Sequence, residues 1–285
     1  MIANSPLNRR RFIQLSASAA GLAALPLSFS LQANDHKTAV PALQLYTLRD
    51  WMAVSVPGTL QLVAGVGYKE LEFAGYYDHS PKEIKRLLDG EGLSAPSSHV
   101  PLDMFKAGVN KVIDTALEIG HRYVVVPYLT EEQRGNSIDV YKRLAADMNS
   151  WGEACNKAGL KLAYHNHDFE FFKTDGQIPY DVLLSETDAD KVAMEMDLYW
   201  MFKAKQDPLA YFNKHTGRFK LWHVKDMDKA GAFADVGTGT IDFAPIFAAA
   251  DKAGVEHYVV ERDQTQDKLA TIQQGYKAVN KLLHG

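Results

Sequence analysis

Short runs rich in apolar, β-branched and aromatic residues alternate along the chain with longer stretches in which apolar positions recur at helical spacing. Eight runs read as strands, at 42–46, 68–73, 95–100, 123–128, 161–167, 192–196, 221–225 and 258–261, and helical patterns separate them, for example at 82–89, 109–119, 137–158 and 268–283. This alternation predicts parallel α/β architecture, because each parallel strand needs a crossover long enough to hold a helix. Gly67, Gly92, Gly120, Gly159 and Gly254 stand at the ends of helical stretches, shortly ahead of the next strand, where a left-handed residue stops a helix. Repetition of one unit favours a single (β/α)8 TIM barrel over an open doubly wound sheet. After the first strand the chain reads Leu45-Tyr46-Thr47-Leu48-Arg49, with none of the glycines of a dinucleotide-binding turn. The stretches 174–179 and 229–240 are the least regular; both follow strands and are expected as loops on the face where the strands end.

The first residues follow another pattern. Asn8-Arg9-Arg10-Arg11-Phe12-Ile13-Gln14 precedes a weakly apolar, Ala/Leu/Ser-rich stretch at 15–31 and a small-residue exit near Gln32-Ala33. Residues 1–33 are therefore expected to be a twin-arginine export signal, read by the twin-arginine translocase, with the barrel at 34–285 delivered to the periplasm. The alternative is a transmembrane anchor, but the segment is short and carries four serines, Gly21 and Pro26, so an integral membrane protein is not expected. That route carries folded proteins, which agrees with a cofactor loaded before export.

Composition narrows the chemistry. About 250 residues after the signal are enough for one large domain with a well-buried core. The only cysteine, Cys155, excludes an internal disulfide and lies on a helical stretch, where a small buried side chain is the expected role. With 31 basic and 35 acidic residues there is no basic stripe for nucleic acid. A small carbohydrate fits better as the substrate; an oligomer is compatible with the sequence.

His165, Asp197, His223 and Glu261 each stand at or just beyond the C-terminal end of a predicted strand, about one strand–helix unit apart. In a barrel the strand ends meet at one face, so these four are expected to converge on one divalent ion. Asp197 can equally be a helix N-cap, and His223 a core histidine. Strand alternation puts His223 and Lys225 on one face and Trp222 and Val224 on the other, so the former pair should point into the barrel mouth. The same alternation turns both His165 and His167 toward the mouth; spacing does not decide which of them binds metal, and His165 is favoured as nearer the strand body. Glu261 is expected as a ligand or a proton-transfer base, with His167 and Lys225 as further proton carriers. Gln44, Glu72, His99, Glu170 and Trp200 are candidate substrate-binding residues; several are equally readable as structural polar groups satisfying strand ends.

With these residues in view the chain resembles the sugar phosphate isomerase/epimerase family, the xylose isomerase-like TIM barrels that include ketose 3-epimerases and inosose dehydratases. The resemblance rests on Tyr164-His165-Asn166-His167-Asp168-Phe169-Glu170-Phe171, Glu195-Met196-Asp197, His223-Val224-Lys225-Asp226, Gly237-Thr238-Gly239-Thr240-Ile241-Asp242 and Val260-Glu261. It implies one divalent ion (Mn, Mg, Co or Zn) held by Glu, Asp, His and Glu, of which the last three match Asp197, His223 and Glu261. His165 stands where ketose epimerases carry the first Glu. The resemblance further implies enediolate chemistry on a sugar or sugar derivative, so the leading expectation is a metal-dependent sugar isomerase or epimerase. A 3-keto-glycoside lyase or hydrolase on the same scaffold comes next. A non-catalytic periplasmic sugar-binding barrel is the reading from a different class.

Overall fold

The computed structural model describes residues 39–285. The expected export signal lies outside the described residues. Eight parallel strands close into a barrel: β1 (Pro41–Gln44), β2 (Glu70–Phe73), β3 (Ser94–His99), β4 (Tyr123–Val126), β5 (Lys161–His165), β6 (Val192–Asp197), β7 (Phe219–Val224) and β8 (His257–Val260). Each strand pairs with its sequence neighbours, and β8 pairs with β1 to complete the ring. The expected (β/α)8 barrel is the observed fold. No helix among the described residues is long and apolar enough to cross a membrane.

Local chemistry places the elements. The helix Pro81–Glu91 opens on a capping box, Ser80 and Glu83 satisfying each other's backbone N–H groups, and closes on Gly92 in the left-handed conformation. All five glycines read as helix stops have positive φ. At Gly254 a Cβ would also lie 2.8 Å from the Cα of Gly217, so neither the dihedral nor the packing admits another residue. The helix Leu102–Ile119 extends further toward its N-terminus than its apolar period, which becomes regular only past Gly108, where the backbone leaves helical geometry.

Three strands end two residues before their sequence-based limits. β1 stops at Gln44 because its side-chain amide oxygen accepts the Tyr46 N–H and turns residues 45–48 into a 3-10 turn, leaving Tyr46 on the rim. β4 stops at Val126, and β5 stops at His165, so Tyr128 and His167 lie in the loops beyond. The irregular stretch at 229–240 contains one half of a short antiparallel ribbon, Phe233–Ala234 paired with Asp226–Met227.

Alternation along β7 follows the expected sense. Trp222 stacks on Phe212 at 5.1 Å between ring centroids and meets Phe247 edge-on in the helix layer. Leu221, with Tyr123, Val125 and Ala163, fills the barrel's lower interior, and His223 stands one pleat above Leu221. Cys155 is a free, buried thiol, in the role its setting predicted.

Candidate active site

The interior above this apolar floor holds two tiers of polar side chains, because three strands each send in residues two apart. Glu195 and Asp197 come from β6, His223 and Lys225 from β7 and the residue after it, and His165 and His167 from β5 and the loop that follows.

The lower tier gathers His99, His165, His223, Glu195 and Glu72. Glu195 Oε2 lies 2.6 Å from His99 Nε2, 2.9 Å from His165 Nδ1 and 3.3 Å from His223 Nε2. Glu72 Oε1 lies 2.7 Å from His223 Nε2 and 3.0 Å from His99 Nε2, and accepts from Gln44 Nε2 at 2.6 Å. The His99 and His223 rings stack at 5.1 Å. The second carboxylate oxygens, Glu72 Oε2 and Glu195 Oε1, are buried with no hydrogen-bond partner.

The upper tier is built on Lys225. Its ammonium is 3.1 Å from Asp197 Oδ2, 3.1 Å from Glu261 Oε2 and 2.5 Å from Asp263 Oδ1, with the side chain only 2% exposed. Burial alone would strip its charge, but the three carboxylates outweigh that and hold the amine protonated well above its ordinary range. Glu261 also accepts from His223 Nδ1 at 2.8 Å. Burial would raise its pKa, yet Lys225 and His223 hold it far below the usual carboxylate range. Asp197 is pushed up by burial to about 6 against the pull of Lys225 and His223. Asp197 is also the N-cap of the helix Leu198–Lys203, accepting the Trp200 N–H at 3.0 Å, so both readings of that residue hold.

The four expected metal ligands are brought together only in part. Asp197, His223 and Glu261 place donor atoms within 4.8 Å of one another, whereas His165 groups instead with His99, Glu195 and His223. His223 is common to both groups, Nδ1 facing the upper and Nε2 the lower. Glu195 escaped the sequence reading, although the alternation that turns Asp197 inward turns Glu195 inward as well. Mixed imidazole and carboxylate donors, with buried carboxylate oxygens left unpartnered, fit a divalent ion.

A cavity of about 620 Å³ opens above the tiers, its polar wall formed by His99, His165, His167, Lys225, Glu261 and Asp263 and its apolar wall including Tyr46, Tyr76, Met104 and Tyr128. His167 is kept uncharged, its pKa lowered to about 3 by burial and by Lys225, and its Nδ1 has no partner. Its ring stacks on Phe169 and tilts against Trp200.

Four of the five candidate substrate-binding residues do not line the cavity. Gln44 and Glu72 lie beneath the cavity and hold histidines, while Trp200 flanks it, its ring 5.7 Å from the Lys225 ammonium. Glu170 is turned away altogether: its carboxylate accepts from the Tyr164 hydroxyl and the His167 N–H, on the outward side of β5, and burial raises its pKa to about 8. His99 does line the cavity. Asp226, next to Lys225, has a separate task. It accepts N–H bonds from Gly237, Gly239 and Ile241 and so straps the 237–241 loop to the barrel rim.

Known proteins resemble the chain over most of its length. The model of the xylose isomerase-like TIM barrel family matches residues 60–282. The inosose dehydratase of Lacticaseibacillus casei is 27% identical over 255 residues, covering 74% of this chain and 83% of the relative. A sugar phosphate isomerase/epimerase from Parabacteroides distasonis superposes with a TM-score of 0.74 at 27% identity, covering 89% of this chain and 97% of that one. The IOLI protein, whose structure holds a zinc atom, shares the fold at a TM-score of 0.70 and 15% identity, covering 86% of this chain and 98% of that one.

Proposed function

The chain belongs to the xylose isomerase-like TIM barrel family, and from that premise we propose that it is a metal-dependent lyase that expels a β-substituent from a sugar-derived polyhydroxy ketone. This reverses the order expected from sequence, where isomerisation or epimerisation came first. Relatives aligned along most of the chain carry the name inosose dehydratase, an elimination by name. The observation that carries the reading is the state of the carboxylates. Glu72, Glu195, Asp197, Glu261 and Asp263 are all engaged by imidazoles or by Lys225, so no opposed pair of free carboxylates faces the cavity to remove and return a proton. What remains are unlike groups: the neutral imidazole of His167 and the cationic Lys225.

A divalent ion held by the donors around His223 would polarise the ketone oxygen and acidify the neighbouring C–H. His167 takes that proton on its imidazole, which lines the cavity. The electron pair forms the C=C bond as the β C–O bond breaks, and the departing oxygen receives a proton from Lys225, so the products are an enone and water or a free alcohol. Negative charge growing on the substrate raises the basicity of His167 as the proton moves. Glu261, first expected as the base, is better suited to orienting Lys225 and His223, which draw off its basicity. The cavity volume accommodates a substrate of mono- to disaccharide size, and Tyr46 and Tyr128 offer faces for a pyranose ring.

The test is incubation of metal-loaded protein with inososes and 3-keto-disaccharides, read by mass and NMR. Loss of water or release of a free aglycone supports the lyase; a product of unchanged mass as the only product overturns it in favour of an isomerase. Protein that turns over no such ketone with any divalent metal supports the binding barrel. We also propose that residues 1–33 send the folded barrel through the twin-arginine translocase to the periplasm. Blocking that translocase should retain full-length protein in the cytoplasm, and unchanged export would overturn this.

A further inference from the structure

Hydrogen bonding does not account for the lower tier. Five nitrogen–oxygen approaches, from 2.6 to 3.3 Å, join His99, His165 and His223 to Glu72 and Glu195. Only three ring nitrogens supply them, and each can carry at most one proton. Two of these nitrogens, His99 Nε2 and His223 Nε2, face both carboxylates at once. The spacing is that of donors around a cation: bonds of ~2.1 Å place neighbouring ligand atoms about 3.0 Å apart in octahedral and about 3.4 Å in tetrahedral geometry.

The outward nitrogens agree. His223 Nδ1 faces Glu261 at 2.8 Å, and His165 Nε2 faces Asp197 Oδ2 at 3.6 Å. An imidazole that gives its outer N–H toward a carboxylate keeps the lone pair of its inner nitrogen for a metal, the arrangement of a carboxylate–histidine–metal triad. The upper group offers no such space. The Lys225 ammonium already fills it, 3.1 Å from both Asp197 and Glu261 and 2.5 Å from Asp263.

We propose that the metal of this protein sits in the lower tier, held by His99, His165, His223 and Glu195 with Glu72 beside it, and that Asp197 and Glu261, the expected ligands, instead orient imidazoles and bind Lys225. The site thus takes its donors from β2, β3, β5, β6 and β7 and none from β8. Three imidazoles select a borderline transition ion, Zn²⁺ or Co²⁺, over Mn²⁺ and Mg²⁺, which prefer oxygen. This deepens the proposed function by naming the ligands, but metal binding is read without substrate, so an error in the lyase assignment leaves it untouched.

The decisive measurement is X-ray absorption on the unmutated protein loaded with one equivalent of Co²⁺ or Zn²⁺. Imidazole scattering from three rings is expected; one or two rings, or no stoichiometric binding, overturns the proposal. Variants give a second reading by equilibrium dialysis against Co²⁺, with circular dichroism confirming the fold of each. His99→Asn and Glu195→Gln should lower affinity more than about 100-fold, and Glu261→Gln about 10-fold to 100-fold while keeping one ion per chain. Loss of the ion in Glu261→Gln, with retention in His99→Asn, would place it in the upper tier.

Discussion

The two ends of the barrel both bury histidines against carboxylates, yet they do it differently. At the floor the buried histidine has a single partner, His257 Nδ1 meeting Glu70 Oε2 at 2.7 Å, and where several groups do share a carboxylate, as Tyr123, Arg122 and Lys220 share Glu256, they do so at the solvent edge. At the mouth each group meets several: three ring nitrogens approach one oxygen of Glu195, and three carboxylates surround Lys225. A pair is what a strand end needs to satisfy a buried polar atom. Convergence costs more desolvation than pairing and persists where it holds something the pairs do not, in the function proposed above a metal ion and a substrate.

That contrast can be broken at its strongest point first. Lys225→Met should leave the buried Asp197 and Glu261 and the partly buried Asp263 without their cation, lowering stability by about 3–5 kcal/mol in chemical denaturation and abolishing turnover; unaltered stability would show that the upper tier is not held by charge. His167→Asn should reduce kcat by about 10²–10⁴ while metal content and stability stay unchanged, because it touches proton transfer alone; an equal loss of bound metal would move His167 into the metal site. His121 belongs to neither end and serves as a control for burial without a carboxylate. Its Nδ1 donates to the Ala95 carbonyl, and Nε2 accepts from the Tyr76 hydroxyl. Burial depresses its pKa to about 4, below the ~6.5 of the unfolded chain. The folded protein therefore binds fewer protons between these values. Stability should be full above pH ~6.5 and fall by up to about 3 kcal/mol as pH drops toward 4, a decline that His121→Gln should reduce in pH-resolved denaturation. Smallest of all, Glu70→Gln at the floor should cost about 1 kcal/mol and leave kcat/KM unchanged in steady-state assays; a loss of activity there would erase the distinction between the two ends.

Much of the architecture was legible because parallel strands buried on both faces read as compact apolar runs, and glycine marks where helices stop. Eight strands and their order followed from that pattern, as did the inward turn of His223 and Lys225. Ends of strands were less legible: the side-chain bond from Gln44 that turns the chain at Tyr46 is a local competition that periodicity does not register. Asp197, His223 and Glu261 did converge, but nothing in spacing says how far down the barrel each one sits, so tiers were invisible. Glu195 was within reach, being two residues from Asp197 on one strand. His99 and Glu72 were recognised as mouth residues, yet their meeting with Glu195 depends on strands on opposite sides of the ring. Glu170 lies past the end of β5, where alternation has ceased and no period predicts its direction.

The strap made by Asp226 decides where the molecule is open. Three backbone amides on one carboxylate make the 237–241 loop part of the masonry, and neither that loop nor the ribbon contributes to the cavity wall. The doorway lies elsewhere on the rim, where Tyr46, Met104 and Tyr128 stand 42%, 45% and 43% exposed. A guest entering over that sill would meet the imidazoles and the ammonium on the far side, so a change of diet for this scaffold would begin at the sill and spare the hearth.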